Sequence, residues 1–232
     1  MAYTRVKICG LTRPEDAAIA AAVGTDAIGL NFYDGPRQID FDQAVDILAE
    51  LPPLVSVVAL LGINPKDELA RPHLPPPLMA YVQYLQLYES PAKIVNLLKD
   101  CHCWHLIEQN CFWPVFRIAT RDDVRQLGKD LSYHGVEPCG LVVDTAVKGQ
   151  TGGTGQAFDW NWIAEARAAG ELENLPPLIL AGGLNPDNVA QAIRIVKPYA
   201  VDVSSGVEMP GKPGVKDAVK MRDFVQAVRG AG

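Results

Sequence analysis

Short apolar runs alternate with stretches of helical pattern along all 232 residues of the chain. Eight runs can be counted, at residues 5–9, 27–32, 54–61, 84–88, 115–119, 141–144, 178–181 and 200–203. Apolar runs of this length are typical of parallel strands that are buried on both faces. Eight strands alternating with helices in a chain of roughly 200 to 250 residues predict a (β/α)8 TIM barrel. We expect one α/β domain that covers residues 1–232.

An open, doubly wound sheet is the alternative, because the same alternation of strands and helices builds it. Its dinucleotide-binding form carries the pattern G-x-G-x-x-G after the first strand. Here the first run is followed by Gly10-Leu-Thr12, without that pattern. We therefore favour the closed barrel.

The first third of the chain is predicted to run strand, helix, strand, helix, strand. Thr12 and Glu15 form a possible capping box for an alanine-rich helix that ends near Gly24. Asp40 or Asp42 can cap the second helix, because a carboxylate accepts the free N–H groups of the first helical turn.

Two segments of the middle third are irregular, near residues 64–80 and 101–114. Five prolines fall within the first of them, so any helix there is short or broken. We expect a short helix at 91–98, a loop at 101–113 and a longer helix at 122–134.

The last third is regular again. Asp159 can cap a helix that ends near Gly170. Asn185 and Pro186 have the residue types preferred at the N-cap and first position of the next helix. A final helix is expected at 215–228.

The composition excludes several classes of protein. The formal net charge is −6 and no basic stripe is present, so a nucleic-acid partner is not expected. The longest apolar runs are too short to span a bilayer, and the first residues lack the apolar core of a signal peptide. The sequence predicts a cytoplasmic protein without a membrane partner, and leaves monomer and homodimer open.

The five cysteines do not indicate a disulfide framework, because their number is odd and the chain is large. Cys101, His102, Cys103 and His105 lie close together. Their C-x-C spacing lacks the second matched pair of the usual zinc patterns, so no metal is predicted.

Two loops predict a phosphorylated ligand. In a TIM barrel, the loops after strands seven and eight hold phosphate at the carboxyl ends of the strands. Here Gly182-Gly183 follows the seventh run and Ser204-Ser205-Gly206 follows the eighth. Each group alone is also compatible with an ordinary turn, but both occur at the two expected loops. Unhindered N–H groups at a helix start form an anion site.

Cys9 and Asp144 are candidates for an acid–base pair. They end the first and sixth runs and would bracket the phosphate loops, since strands six, seven, eight and one are neighbours in a closed barrel. Lys7 lies on the same strand face as Cys9 and could lower the pKa of the thiol. An inert buried cysteine is the alternative.

Five motifs together resemble the phosphoribosylanthranilate isomerase family. They are Lys7-Ile-Cys-Gly-Leu-Thr12, Gly35-Pro-Arg37, Val143-Asp144 with Gly152-Gly-Thr-Gly155 and Phe158-Asp-Trp160, Leu180-Ala-Gly-Gly-Leu184, and Val201-Asp-Val-Ser-Ser-Gly-Val-Glu208. The resemblance implies an Amadori rearrangement in tryptophan biosynthesis. It converts N-(5-phosphoribosyl)anthranilate to 1-(2-carboxyphenylamino)-1-deoxyribulose 5-phosphate, without a cofactor.

The resemblance also implies roles for single residues. Asp144 would be the general acid that opens the furanose ring, and Cys9, as thiolate, the general base at C2′. Arg37 would bind the carboxylate of the aromatic ring, although a solvated loop arginine is the alternative. The loop that ends at Gly155 would cover the substrate and add N–H groups to the phosphate. Asp202 either contacts the substrate or braces the loop.

Two departures from the family pattern concern the middle of the chain. The fourth strand ends in Gln86-Leu-Tyr88-Glu89, where the family has Gln-Leu-His-Gly, and the third lacks the usual Val-Phe-Val-Asn.

Two other classes of function stay open. A sister isomerase of histidine biosynthesis would pair two aspartates, which Cys9 disfavours, and a non-catalytic phosphate-binding barrel would use Cys9 and Asp144 only for packing.

Overall fold

A computed structural model of the chain describes residues 3–62, 74, 76–88, 106, 108–109, 111–127, 131, 137–146 and 157–231. Eight parallel strands close into a barrel in the order of the chain. They are β1 Arg5–Cys9, β2 Ala27–Asn31, β3 Ser56–Leu61, β4 Tyr84–Leu87, β5 Phe112–Ile118, β6 Leu141–Thr145, β7 Leu178–Leu180 and β8 Ala200–Val203. Because β1 pairs with both β2 and β8, the sheet has no edge. The predicted barrel is confirmed, and the open sheet is wrong.

Helices follow most of the strands. The described ones are α1 Pro14–Ala22, α2 Phe41–Ala49, α3 Pro76–Met79, α4 Arg121–Gln126, α5 Asn161–Ala168, α6 Val189–Val196 and α7 Ala218–Arg229, with a 3-10 turn at Ser205–Val207. The last helix packs against the first and against its predecessor, as expected for a ring of helices around a barrel. None of the described helices is long and apolar enough to cross a membrane.

β1 shows how strand alternation places the site. Val6 and Ile8 join the large core between strands and helices, whereas Cys9 clusters with Val58 and Leu60 inside the barrel. Lys7 has the same orientation as Cys9, so strand geometry carries a lysine and a thiol into the interior. Cys9 is the last residue of the strand and Lys7 its middle residue.

The start of α1 differs from the prediction. The N-cap residue is Arg13, which makes no capping bond through its side chain. Thr12 lies one residue before this N-cap, and its hydroxyl donates to the carbonyl of Gly214, at 2.9 Å. At α2 the prediction is confirmed, since Asp40 accepts the N–H of Gln43 at 2.9 Å in a capping box.

Two helix starts in the last third also lie later than predicted. The side chain of Asn185 accepts the N–H groups of Asp187 and Asn188, at 2.9 and 3.1 Å. It closes a turn, and α6 begins only after this turn. The last helix begins at Ala218, because Asp217 accepts two N–H groups of its first turn.

The end of the predicted loop at 101–113 is wrong, because β5 already begins at Phe112. The ring of Trp113 stacks on that of Tyr84, with 4.9 Å between centroids, and fixes this part of the strand beside β4. The prediction that any helix in the proline-rich segment is short or broken holds for α3, which is a single turn. The predicted helix at 91–98 lies outside the described residues.

Candidate active site

The loops after β7 and β8 lie against each other at the carboxyl ends of the strands. A Cβ atom at Gly206 would overlap the carbonyl oxygen of Leu184, so the loop after β8 can pack there only as glycine. Gly182 and Gly183 adopt φ values of +83° and +67°, which disfavour other residues. The two predicted phosphate loops are thus one contiguous surface.

Gly182 also brings this surface to the end of β6. A Cβ atom there would lie 2.7 Å from Oδ1 of Asp144, and it would collide with the backbone nitrogen of Thr145. The candidate acid therefore borders the glycine loop directly, as the sequence predicted.

One cavity joins the predicted site residues. Its lining includes Cys9, Arg37, Asp144, Gly182, Gly183, Asp202, Ser204 and Ser205. Gly206 does not line this cavity; it lies where the loop after β8 packs against Leu184. The remaining predicted residue, Gly155, lies outside the described residues, as do Cys101, His102, Cys103 and His105.

Among the described residues, Asp144 has few partners for a buried carboxylate. It is 9% exposed, and within this part of the chain it accepts one hydrogen bond, from the N–H of Thr145 at 2.7 Å. Burial raises the pKa of its carboxyl to about 6. A carboxyl with this pKa is partly protonated near neutral pH and can serve as a general acid.

Cys9 lies beside an ion pair inside the barrel. Nζ of Lys7 is 2.8 Å from Oδ2 of Asp202, and both side chains are almost fully buried. Burial raises the pKa of the Cys9 thiol, and the charge of Lys7 opposes this only in part. The charge of Lys7 lowers this pKa, as predicted, but burial outweighs a lysine charge that Asp202 already shares, so the net shift is upward. Asp202 braces Lys7 and lines the cavity as well.

Arg37 is held by a carboxylate that the sequence analysis did not assign. Its Nε and Nη2 donate to the two oxygens of Glu208, at 2.6 and 2.8 Å. The side chain of Arg37 is 15% exposed, so the alternative of a solvated loop arginine is wrong. Gly10 makes this path possible, because a Cβ atom there would come within 2.5 Å of Cδ of Arg37.

Lys216 completes this group and is likewise not among the residues predicted from the sequence. Its Nζ lies 2.9 Å from Oε1 of Glu208 and 3.2 Å from the carbonyl oxygen of Ser204. Burial would raise the pKa of Glu208, but the hydrogen bonds from Arg37 and the charge of Lys216 lower it to about 2. The only sequence signal for Glu208 was its place in the last motif, and Lys216 gave none.

Tyr88 occupies the wall opposite the phosphate loops. Its hydroxyl accepts a hydrogen bond from Gln86 at 2.9 Å, and its ring lies 4.9 Å from that of Tyr33. Burial raises the pKa of Tyr33 to about 12 and that of Tyr88 well above its ordinary value. Both phenols are therefore neutral, aromatic parts of the wall.

Fold and cavity together define an enzyme of the (β/α)8 class, with a buried carboxyl and a thiol beside adjoining loops. A family model described as N-(5′-phosphoribosyl)anthranilate (PRA) isomerase matches residues 112–227. An N-(5′-phosphoribosyl)anthranilate isomerase of Pseudomonas aeruginosa is 41% identical over 230 residues, which cover 99% of this chain and 97% of the relative. One of Pseudomonas fluorescens is 43% identical over 232 residues, covering 99% and 97%. The chain belongs to the phosphoribosylanthranilate isomerase family.

Solved structures agree with this assignment. The phosphoribosyl anthranilate isomerase of Thermotoga maritima has a TM-score of 0.75 and 30% identity, with 98% of this chain and 99% of the other covered. A further structure of a phosphoribosyl anthranilate isomerase, in complex with reduced 1-(o-carboxyphenylamino)-1-deoxyribulose 5-phosphate, has a TM-score of 0.72 and 29% identity, with the same coverage.

Proposed function

We propose that this chain is an aldose–ketose isomerase of tryptophan biosynthesis, with Asp144 as general acid and Cys9 as general base. The substrate is N-(5′-phosphoribosyl)anthranilate, and the product is 1-(2-carboxyphenylamino)-1-deoxyribulose 5-phosphate. The observation that carries the assignment of residues is that one cavity brings both side chains to the adjoining loops after β7 and β8. The family of the chain supplies the reaction.

Asp144 acts in the first step. Its carboxyl transfers a proton to the furanose ring oxygen, the bond from that oxygen to C1′ breaks, and the lone pair of the anilino nitrogen forms a Schiff base. With a pKa of about 6, the carboxyl holds its proton more readily than an exposed aspartic acid does.

Cys9 acts in the second step. Its thiolate removes the proton from C2′, and the electron pair left behind forms the double bond of an enolamine. This enolamine gains a proton at C1′ and loses the hydroxyl proton at C2′, which gives the ketone. Lys7 and the cationic Schiff base together favour the thiolate against burial. Asp202 holds Lys7 in place for this purpose, through its contact at 2.8 Å.

The two charged ends of the substrate fix its orientation. The N–H groups of Gly182, Gly183, Ser204 and Ser205 bind the phosphate, because glycine conformations and the 3-10 turn direct such groups toward an anion. Arg37 binds the carboxylate of the aromatic ring through N–H groups that Glu208 does not occupy. We propose a cytoplasmic enzyme, as monomer or homodimer, without a cofactor, metal, membrane or nucleic-acid partner.

Loss of anthranilate fluorescence with freshly prepared substrate tests the proposal. The wild-type protein should turn over the substrate, whereas Cys9→Ala and Asp144→Ala should each lose turnover while they remain folded. Substitution of the exposed Lys212 by Met is the control and should leave turnover intact. Full turnover by either alanine variant would show that the assigned acid or base is wrong.

A further inference from the structure

Lys216 is a buried cation without a part in the proposed chemistry. Its side chain is 0% exposed and contacts Glu208 and the carbonyl of Ser204. Burial lowers the pKa of Lys216, although the charge of Glu208 opposes this. A charged group in such a place destabilises the fold unless it is paired, so its position calls for a role beyond packing.

The charges around Arg37 indicate that role. The guanidinium of Arg37 and the carboxylate of Glu208 form a two-bond pair, which by itself has no net charge. Lys216 is the second cation on the same carboxylate, so the three side chains together carry one positive charge. Asp16 accepts the backbone N–H of Lys216 but is itself paired with Arg13 and leaves this balance unchanged.

We propose that Lys216 is a positioning residue that acts on the ring carboxylate through Glu208 and Arg37. Glu208 fixes the orientation of Arg37 and uses Nε and Nη2, so that three of its five N–H groups remain for a ligand. Lys216 neutralises Glu208 and thereby leaves the group of three side chains with a net positive charge beside the ligand-facing N–H groups of Arg37. The inference rests on the proposed function, in which Arg37 binds the carboxylate.

Equilibrium binding of two ligands tests this role. One is reduced 1-(o-carboxyphenylamino)-1-deoxyribulose 5-phosphate, and the other is the same compound without the ring carboxylate. The readout is the ratio of their Kd values, which cancels changes that affect phosphate binding alone. For the wild-type protein we expect tighter binding of the carboxylated ligand by about 10- to 150-fold, the size of one charge-assisted hydrogen bond.

Lys216→Met should reduce this ratio to within about threefold of unity. The Arg37–Glu208 pair is then neutral, and a preference of about 10- to 150-fold requires a hydrogen bond from a group with net charge. The matched control is Lys212→Met, which removes an exposed lysine from the same loop and should keep the wild-type ratio. Lys216→Arg retains the charge and should keep most of the wild-type preference for the carboxylated ligand.

The double variant Glu208→Gln/Lys216→Met separates charge from packing. It removes one negative and one positive charge, so Arg37 again carries net positive charge, and the ratio should rise above that of Lys216→Met. A purely structural role predicts a ratio that stays low or falls further. If Lys216→Met does not fold, as thermal unfolding would show, the double variant and Lys216→Arg decide the question in the same way.

Arg37→Ala distinguishes a failure of the inference on Lys216 from a failure of the proposed role of Arg37. If Arg37→Ala loses the preference for the carboxylated ligand while Lys216→Met keeps it, only the inference on Lys216 is overturned. If Arg37→Ala keeps the preference, the Arg37 assignment fails and the inference fails with it. If the wild-type protein binds neither ligand, the proposed function is wrong.

Discussion

Asp144 at the end of β6 and Glu208 in the loop after β8 are two carboxylates of similar burial, 9% and 6% exposed. Their pKa values are displaced in opposite directions, to about 6 and to about 2. Within the part of the chain that the structure describes, Asp144 accepts one backbone N–H, whereas Glu208 accepts hydrogen bonds from Arg37, Lys216 and the backbone of Gly214. Burial raises the pKa of Asp144, so that its carboxyl can donate a proton near neutral pH. At Glu208, two cations outweigh the effect of burial and keep the carboxylate ionised.

The two carboxylates therefore suit different tasks. Asp144 can exchange a proton with the substrate near neutral pH, and Glu208 stays ionised and orients Arg37. Removal of the carboxylate should mainly slow the chemistry at Asp144 and mainly destabilise the fold at Glu208. The following predictions test this contrast, from the largest expected effect to the smallest.

Asp144→Asn should lower kcat by about 10²- to 10⁴-fold, the usual contribution of general acid catalysis. The amide keeps the size of the side chain but has no acidic proton to transfer. Steady-state kinetics with fluorescence detection gives the measurement, and Glu208→Gln is the comparison. A kcat that falls less than tenfold in Asp144→Asn would place the acid elsewhere.

Glu208→Ala should lower the free energy of unfolding by about 3–5 kcal/mol, because it leaves Arg37 and Lys216 without their shared partner. The control is Glu171→Ala, which removes an exposed carboxylate 3.7 Å from Arg125 and should cost about 1 kcal/mol or less. Urea unfolding at pH 7 measures both. Similar losses for the two variants would mean that the buried group is not a stabilising network.

Arg37→Ala should lower kcat/KM by an amount equivalent to about 1.5–3 kcal/mol, the size of a hydrogen bond to a charged group. The loss should fall mainly on KM, since the contact is to the carboxylate rather than to the reacting carbon. An unchanged kcat/KM would contradict the proposed carboxylate contact.

The two carboxylates should also give opposite pH dependence of stability. The pKa of folded Asp144 is raised from 3.8 to about 6, so its ionisation destabilises the fold as pH rises through this range. Asp144→Asn should therefore stabilise the protein by about 1–3 kcal/mol at pH 8, with no gain at pH 4. Glu208, lowered from 4.5 to about 2, contributes stability that is lost as pH falls through this range. Urea titrations at a series of pH values would contradict the contrast if both groups changed stability in the same direction.

Tyr88→Phe should have the smallest effect. It removes the acceptor of the hydrogen bond from Gln86 and should lower the free energy of unfolding by about 1 kcal/mol. Because the phenol has a raised pKa and stays neutral, kcat should change by less than about threefold. A loss of kcat near that of Asp144→Asn would assign Tyr88 to the chemistry.

The sequence predicts the strand ends that position Asp144, but it does not predict the contacts of Glu208. The bounds of β1 and β8 follow from local apolar patterns, and the ends of these strands place Cys9 and Ser204. The local pattern predicts Thr12 as a helix cap, whereas in the structure its hydroxyl donates to the carbonyl of Gly214, which is remote in the chain. The bond from Arg37 to Glu208 joins residues 171 positions apart, and no local pattern encodes it.

The pKa of Cys9 shows the same limit. The sequence places Lys7 beside the thiol, and this placement is confirmed. The direction of the pKa shift depends on burial and on Asp202, which comes from β8 and takes part of the lysine charge. Such balances between burial and charge depend on the closed barrel.

The most direct test is an infrared titration of the Asp144 carboxyl, taken as the difference between the wild-type protein and Asp144→Asn. The carbonyl band of the protonated acid should disappear with a midpoint of about pH 6, as expected for a carboxyl whose pKa is raised by burial. A midpoint near 3.8, the ordinary value for aspartic acid, would contradict its assignment as the general acid.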